Sequence, residues 1–160
     1  MSKLFLRVLC VLVPMFFVTT AQAAEARSYG PAVTLAVAKQ VAAGAIAHAK
    51  KMKWNVAVAI VDKHGFLVYY ERLDDTQTAS AAVAVDKART AAMYRRASRV
   101  FEEVLVKKGR TAILGLRGAT PVIGGLPIKV SGKVIGGVGV SGVSSAQDEM
   151  AAQAGLNTLK

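Results

Sequence analysis

The period of the apolar positions changes several times along this chain, and each change marks an element. Between residues 34 and 53, Val37, Val41, Gly44, Ala45, His48 and Met52 recur at helical spacing, with Lys39, Lys50 and Lys53 on the opposite side. Pro31 and Thr34 stand just ahead of that run, so an amphipathic helix is predicted here, with His48 in its apolar stripe. Residues 55–61 are β-rich and almost wholly apolar, as in a buried central strand. Asp62-Lys63-His64-Gly65 then reads as a tight turn and residues 66–72 as the alternating return strand. A polar loop, residues 73–78, leads into a second, alanine-rich helix over residues 79–96. Val83, Lys87, Thr90 and Tyr94 share one of its faces, with Asp86, Arg89 and Met93 beside them. Ser98 is placed to cap a third helix that runs to about Lys108 and ends at Gly109.

After a link over residues 110–120, residues 121–130 and 133–141 form a second strand pair around the turn signal Ser131-Gly132. Glycine is dense here, at positions 124, 125, 136, 137, 139 and 142, where the missing Cβ lets backbone bend or approach another group closely. A final helix follows, its start marked by capping-box spacing at Ser144 with Gln147 or Ser145 with Asp148. Two hairpins with helices before, between and after them predict one α+β domain with a mainly antiparallel sheet of four strands. A fifth short strand is placed near residues 113–116.

Composition adds compartment and charge. Lys3 and Arg7 precede an apolar run over residues 8–18 that is too short to span a bilayer. Ala21-Gln22-Ala23 is a small-x-small cleavage pattern, so residues 1–23 read as a signal peptide and 24–160 as the mature domain, periplasmic or secreted. Cys10 leaves with that leader, which excludes disulfides, thiolate catalysis and cysteine-bound metal from the mature chain. Loss of Lys3 and Arg7 lowers the formal charge from +11 to +9, still strongly basic. Such a field favours anionic small molecules, phospholipid head groups or an acidic exported protein partner. Few aromatics and no nucleic-acid-binding motif argue against DNA or RNA. Nucleophile elbows, P-loops, His-Glu-x-x-His motifs and dinucleotide fingerprints are all missing from the sequence.

Three blocks carry a resemblance: NVAVAIVDKHGFLVYYERLDD, ASAAVAVDKARTAAMYRR and PVIGGLPIKVSGKVIGGVGVSGVSSAQDE. In order and spacing they resemble the GlcG/HbpS family of haem-binding proteins, which includes the C-terminal domain of PduO-type proteins. That resemblance implies a profilin-like arrangement, a central sheet of four to five strands flanked by helices. It also implies a homo-oligomer and a haem or other tetrapyrrole cofactor, held for storage, transfer or sensing. The expected site is an apolar cleft between the first two helices and the glycine-rich hairpin. Gly124 and Gly125 would admit the macrocycle, Lys87 and Arg72 would meet its propionates, and Thr90 and Glu149 would line the pocket. His48 is the expected iron ligand, because a neutral imidazole on an apolar face suits an axial position. His64 departs from the family, whose members often carry glycine at that turn. Met93, Tyr69, Tyr70 and Tyr94 are further ligand types. Two other readings keep the same residues: an enzyme or accessory acting on a small organic acid at Lys87, Arg72 and Glu149, and a docking protein that uses its basic face.

Overall fold

The structure is a computed structural model that describes residues 28–159. The signal-peptide reading of residues 1–23 therefore lies outside the described residues. The elements run α1 (Leu35–Met52), β1 (Ala57–Asp62), β2 (Leu67–Arg72), α2 (Ser80–Met93), α3 (Arg99–Lys108), a 3₁₀ turn (Thr111–Gly115), β3 (Gly125–Val130), β4 (Lys133–Ser141) and α4 (Ser145–Leu156). The four strands form one sheet in the order β2-β1-β4-β3, antiparallel throughout. This is the α+β domain with an antiparallel sheet that the pattern predicts, in the profilin-like arrangement that the resemblance implies.

Strand alternation assigns the two faces. Val56, Val58 and Ile60 point to the same side as Val138 and Val140, where Val41, Ala42 and Ala45 of α1 and Ala151 and Ala152 of α4 complete the larger core. Ala57, Ala59 and Val61 point the other way, against Ala84, Ala88 and Ala92 of α2. Helices α1 and α2 thus cover opposite faces of the sheet. Among the described residues, α2 packs on β1, β3 and β4, whereas α1 packs chiefly on α4, β1 and β2.

The alanines and glycines of the second face set the distance between α2 and the sheet. A Cβ at Gly139 would fall inside the van der Waals shell of the Ala84 carbonyl oxygen, and one at Gly125 would meet the Lys87 carbonyl in the same way. Both turns are built as the sequence indicates. Ser131 and Gly132 have φ of 49° and 74°, the paired positive values of a tight two-residue hairpin. In the first turn, the Asp62 carboxylate accepts from the amides of His64 (2.8 Å) and Phe66 (3.0 Å), and Gly65 takes φ 89°.

Two local expectations differ. Residues 113–116 form no strand: Leu116 N donates to Ile113 O (3.1 Å), so the short apolar run curls into the 3₁₀ turn and buries Ile113. Ser98 does not cap α3 with its side chain. It is fully buried, and its Oγ accepts from Gly125 N (2.9 Å) while its own amide donates to Gly125 O (2.9 Å), which ties the start of α3 to the start of β3.

Candidate functional site

The side chains expected to share one ligand are dispersed. His48 belongs to α1 and Lys87 and Thr90 to α2, so the sheet stands between the predicted iron ligand and Lys87. Within one chain, α1 and α2 therefore share no cleft.

Lys87 is 1% exposed, and its ammonium is engaged from two sides: Nζ donates to Asp148 Oδ2 at 2.7 Å and to Val140 O at 3.0 Å. Asp148, itself 2% exposed, also accepts from Val143 N at 3.2 Å. Burial pushes its carboxyl above the ordinary value of 3.8, opposed by the hydrogen bond and charge of Lys87. The capping box of α4 uses the other spacing, with Ser144 N donating to Gln147 Oε1 (3.2 Å), which leaves Asp148 for Lys87. Gly124, with φ 126°, packs directly on this pair: a Cβ there would stand 2.9 Å from Lys87 Nζ and 3.0 Å from Asp148 Cβ. The element that Gly124 and Gly125 admit is therefore α2 with its buried lysine.

The remaining expected residues also have protein partners or open surroundings. Thr90 Oγ1 donates to Asp86 O (2.8 Å) and accepts from Thr120 N (2.7 Å), pinning the link before β3. Glu149 is held by the Arg99 guanidinium, whose Nε lies 2.8 Å from Oε2. Arg72 is exposed at the end of β2. Tyr69 donates to Glu71 at 3.0 Å, and that hydrogen bond raises its pKa above 10.0, which disfavours a phenolate. Tyr94 donates to Arg117 O at 2.7 Å. His48 and Tyr70 differ: His48 Nε2 and Tyr70 Oη are buried without a hydrogen-bond partner, and the His48 ring meets Trp54 edge-on at 5.6 Å.

A different set of residues comes together at one end of the molecule, where the β1–β2 turn meets the C-terminus of α2. His64, Met93, Lys63 and Tyr29 line a cavity of about 340 Å³. The Tyr29 hydroxyl donates to Met93 O (2.6 Å), and Lys63 Nζ donates to Gly30 O (2.9 Å), so residues 29 and 30 form one wall. Cations gather around it. The Arg95 guanidinium lies 5.2 Å from the centroid of the Tyr29 ring, and Arg89 Nε donates to Gly65 O (3.0 Å), next to His64. His64 and Met93 are among the residues singled out in the sequence. Tyr29 and Lys63 were not, since a bridge between residue 29 and Val134 brings the first to the site and no local periodicity announces it.

Fold and site together define a small α+β domain with a ligand-sized cavity at one end of its sheet. Among the described residues no group of three or more His, Cys, Asp or Glu side chains is placed to hold a bare metal ion. The chain belongs to the HbpS-like family: the model of that family, described as "Haem degrading protein HbpS-like", matches residues 33–157. Protein GlcG of Escherichia coli K12 is 42% identical over 93 residues, 58% of this chain and 69% of GlcG. A crystal structure of a double mutant of Streptomyces reticuli HbpS matches with a TM-score of 0.76 at 28% identity, over 83% of this chain and 90% of that one. The crystal structure of a PduOC–haem complex matches with a TM-score of 0.73 at 28% identity, over 79% of this chain and 94% of that one.

Proposed function

We propose that this protein binds haem, or a closely related tetrapyrrole, at the cavity where His64 and Met93 meet, and that it serves as an exported carrier or sensor of that ligand. The carrying observation is that an imidazole and a thioether, the axial pair that holds haem iron in cytochromes c, line one cavity of about 340 Å³. The residues present fit the group. Lys63, Arg89 and Arg95 surround the cavity with cations suited to carboxylates, and Tyr29 offers an aromatic wall. Membership of a family that includes a haem complex supports the same ligand. Haem would supply a redox-active iron, while the chain's own part is to present a ligating nitrogen or sulfur, to shield one face and to neutralise charge.

Export is supported by the leader pattern of residues 3–23. Self-association is supported by apolar side chains exposed at the sheet edges, Phe66 just before β2, Leu67 in β2 and Val130 in β3. A second reading of the iron ligand rests on His48, whose Nε2 is buried and unbonded.

Haemin titration of the mature protein, followed at the Soret band, tests these readings together. One saturable site per chain is expected. Affinity should fall at least tenfold in His64→Ala and stay unchanged in His48→Ala, while Met93→Leu should alter the spectrum of the reduced complex. Loss of binding in His48→Ala alone would transfer the ligand role to that nitrogen. A wild-type protein with no saturable shift would sink the haem reading.

A further inference from the structure

A second cavity, away from His64, lies between α3 and the 3₁₀ turn, with a volume of about 260 Å³. Its walls are the apolar side chains of Val100, Phe101, Val104, Ile113 and Leu116, and its polar contributions are Arg96 and Arg110. Helix α3 is incompletely covered here. Of its residues only Phe101 is buried, while Val100 and Leu116 remain 37% and 41% exposed in spite of facing this hollow. Concave apolar surface with a polar rim marks a binding site more than it marks ordinary protein surface.

The rim carries one sign of charge. The ion pairs among the described residues are Lys87–Asp148, Arg89–Asp86, Arg99–Glu149 and Lys107–Glu103, and neither Arg96 nor Arg110 takes part in any of them. The Arg96 guanidinium lies 5.8 Å from the centroid of the Phe101 ring, with Nε donating to Tyr94 O (3.2 Å). An occupant must therefore bury an apolar body against valine, leucine, isoleucine and phenylalanine and present an anion to two guanidiniums, whose planar donors match a carboxylate. A volume of about 260 Å³ falls just below the usual range of ligand pockets, about 300–1,000 Å³, which suits a single short chain.

We propose that this cavity is a binding site for a free medium-chain fatty carboxylate, independent of the haem site. Decanoate, kept below its micellar concentration, is the probe, with decan-1-ol as the uncharged control. Calorimetry should show decanoate binding at least tenfold tighter than the alcohol. Methyl NMR shifts should be confined to Val100, Val104, Ile113 and Leu116. The double variant Arg96→Gln/Arg110→Gln should lose at least tenfold in affinity with an unchanged melting temperature, since both side chains are exposed. His64→Ala should bind decanoate as the wild type does, which separates this site from the haem reading. Equal affinity for acid and alcohol, methyl shifts elsewhere, an unaffected double variant or no binding would each overturn the proposal. So would co-sedimentation with phosphatidylglycerol vesicles in place of decanoate binding.

Discussion

Lys87 shows what a single side chain is doing in an otherwise alanine-lined seam. Its ammonium is removed from water and held by Asp148 and the Val140 carbonyl, so each charge is tolerated only because the other is present. Lys87→Met is expected to destabilise the fold by about 3–5 kcal/mol, because it strands a buried carboxylate, whereas Lys87→Met/Asp148→Leu should recover most of that loss. Urea unfolding of the two variants and the wild type measures both terms. The same pair governs acid behaviour. Asp148 has its folded pKa raised above 3.8, chiefly by burial, so the folded protein holds that proton more tightly than the unfolded chain does. Its contribution to stability is therefore fully present below about pH 3.8 and is lost as pH rises through the folded value. Urea midpoints of wild type and Asp148→Asn, compared from pH 7 down to 3, should show the wild type gaining on the variant as acid is added. A gap that narrows instead would mean that Lys87 outweighs burial.

At the scale of elements, the decisive contact is α2 lying backbone-close on β4 and the start of β3. Gly139→Ala would insert a methyl group against the Ala84 carbonyl, and neither helix nor strand has a flexible side chain there to yield. Overpacking of this kind typically destabilises by about 1–3 kcal/mol. Gly115→Ala is the matched control: a Cβ there meets nothing within 4 Å, and its effect should stay within about 0.5 kcal/mol. Thermal and urea midpoints of the two variants check the contrast. The glycine density of the β3–β4 hairpin was legible in the sequence. Its purpose was not, because a missing Cβ signals close approach without saying whether a ligand or a helix approaches.

The whole molecule carries a formal charge of +11 over its full sequence, with Lys63 lining one cavity and Arg96 and Arg110 the other. Long-range attraction of an anionic ligand is screened as salt shortens the Debye length from about 30 Å at 0.01 M to about 8 Å at 0.15 M. Stopped-flow association of monomeric haemin should accordingly slow with added salt, while its dissociation rate changes little. Association independent of salt would mean that the charges act only locally. None of the helices among the described residues is long and apolar enough to cross a membrane.

The order of the helices and the four main strands and the sheet class followed from local information: helical and alternating periods, Ser131-Gly132 at φ values a hairpin needs, and a capping box at Ser144. Each of these is written within a few neighbouring residues, where backbone preference and side-chain spacing act directly. The three matching blocks carried the family in the same way. Partnership between distant residues was decided only by the tertiary structure. The order β2-β1-β4-β3 puts α1 and α2 on opposite faces, which parts His48 from Lys87, although both lie in apolar stripes that look alike along the chain. It also brings Asp148 to Lys87 across 61 positions and sets His64 beside Met93. Periodicity reports which face of an element is apolar and not which neighbour covers it, and a binding site is defined by the neighbour.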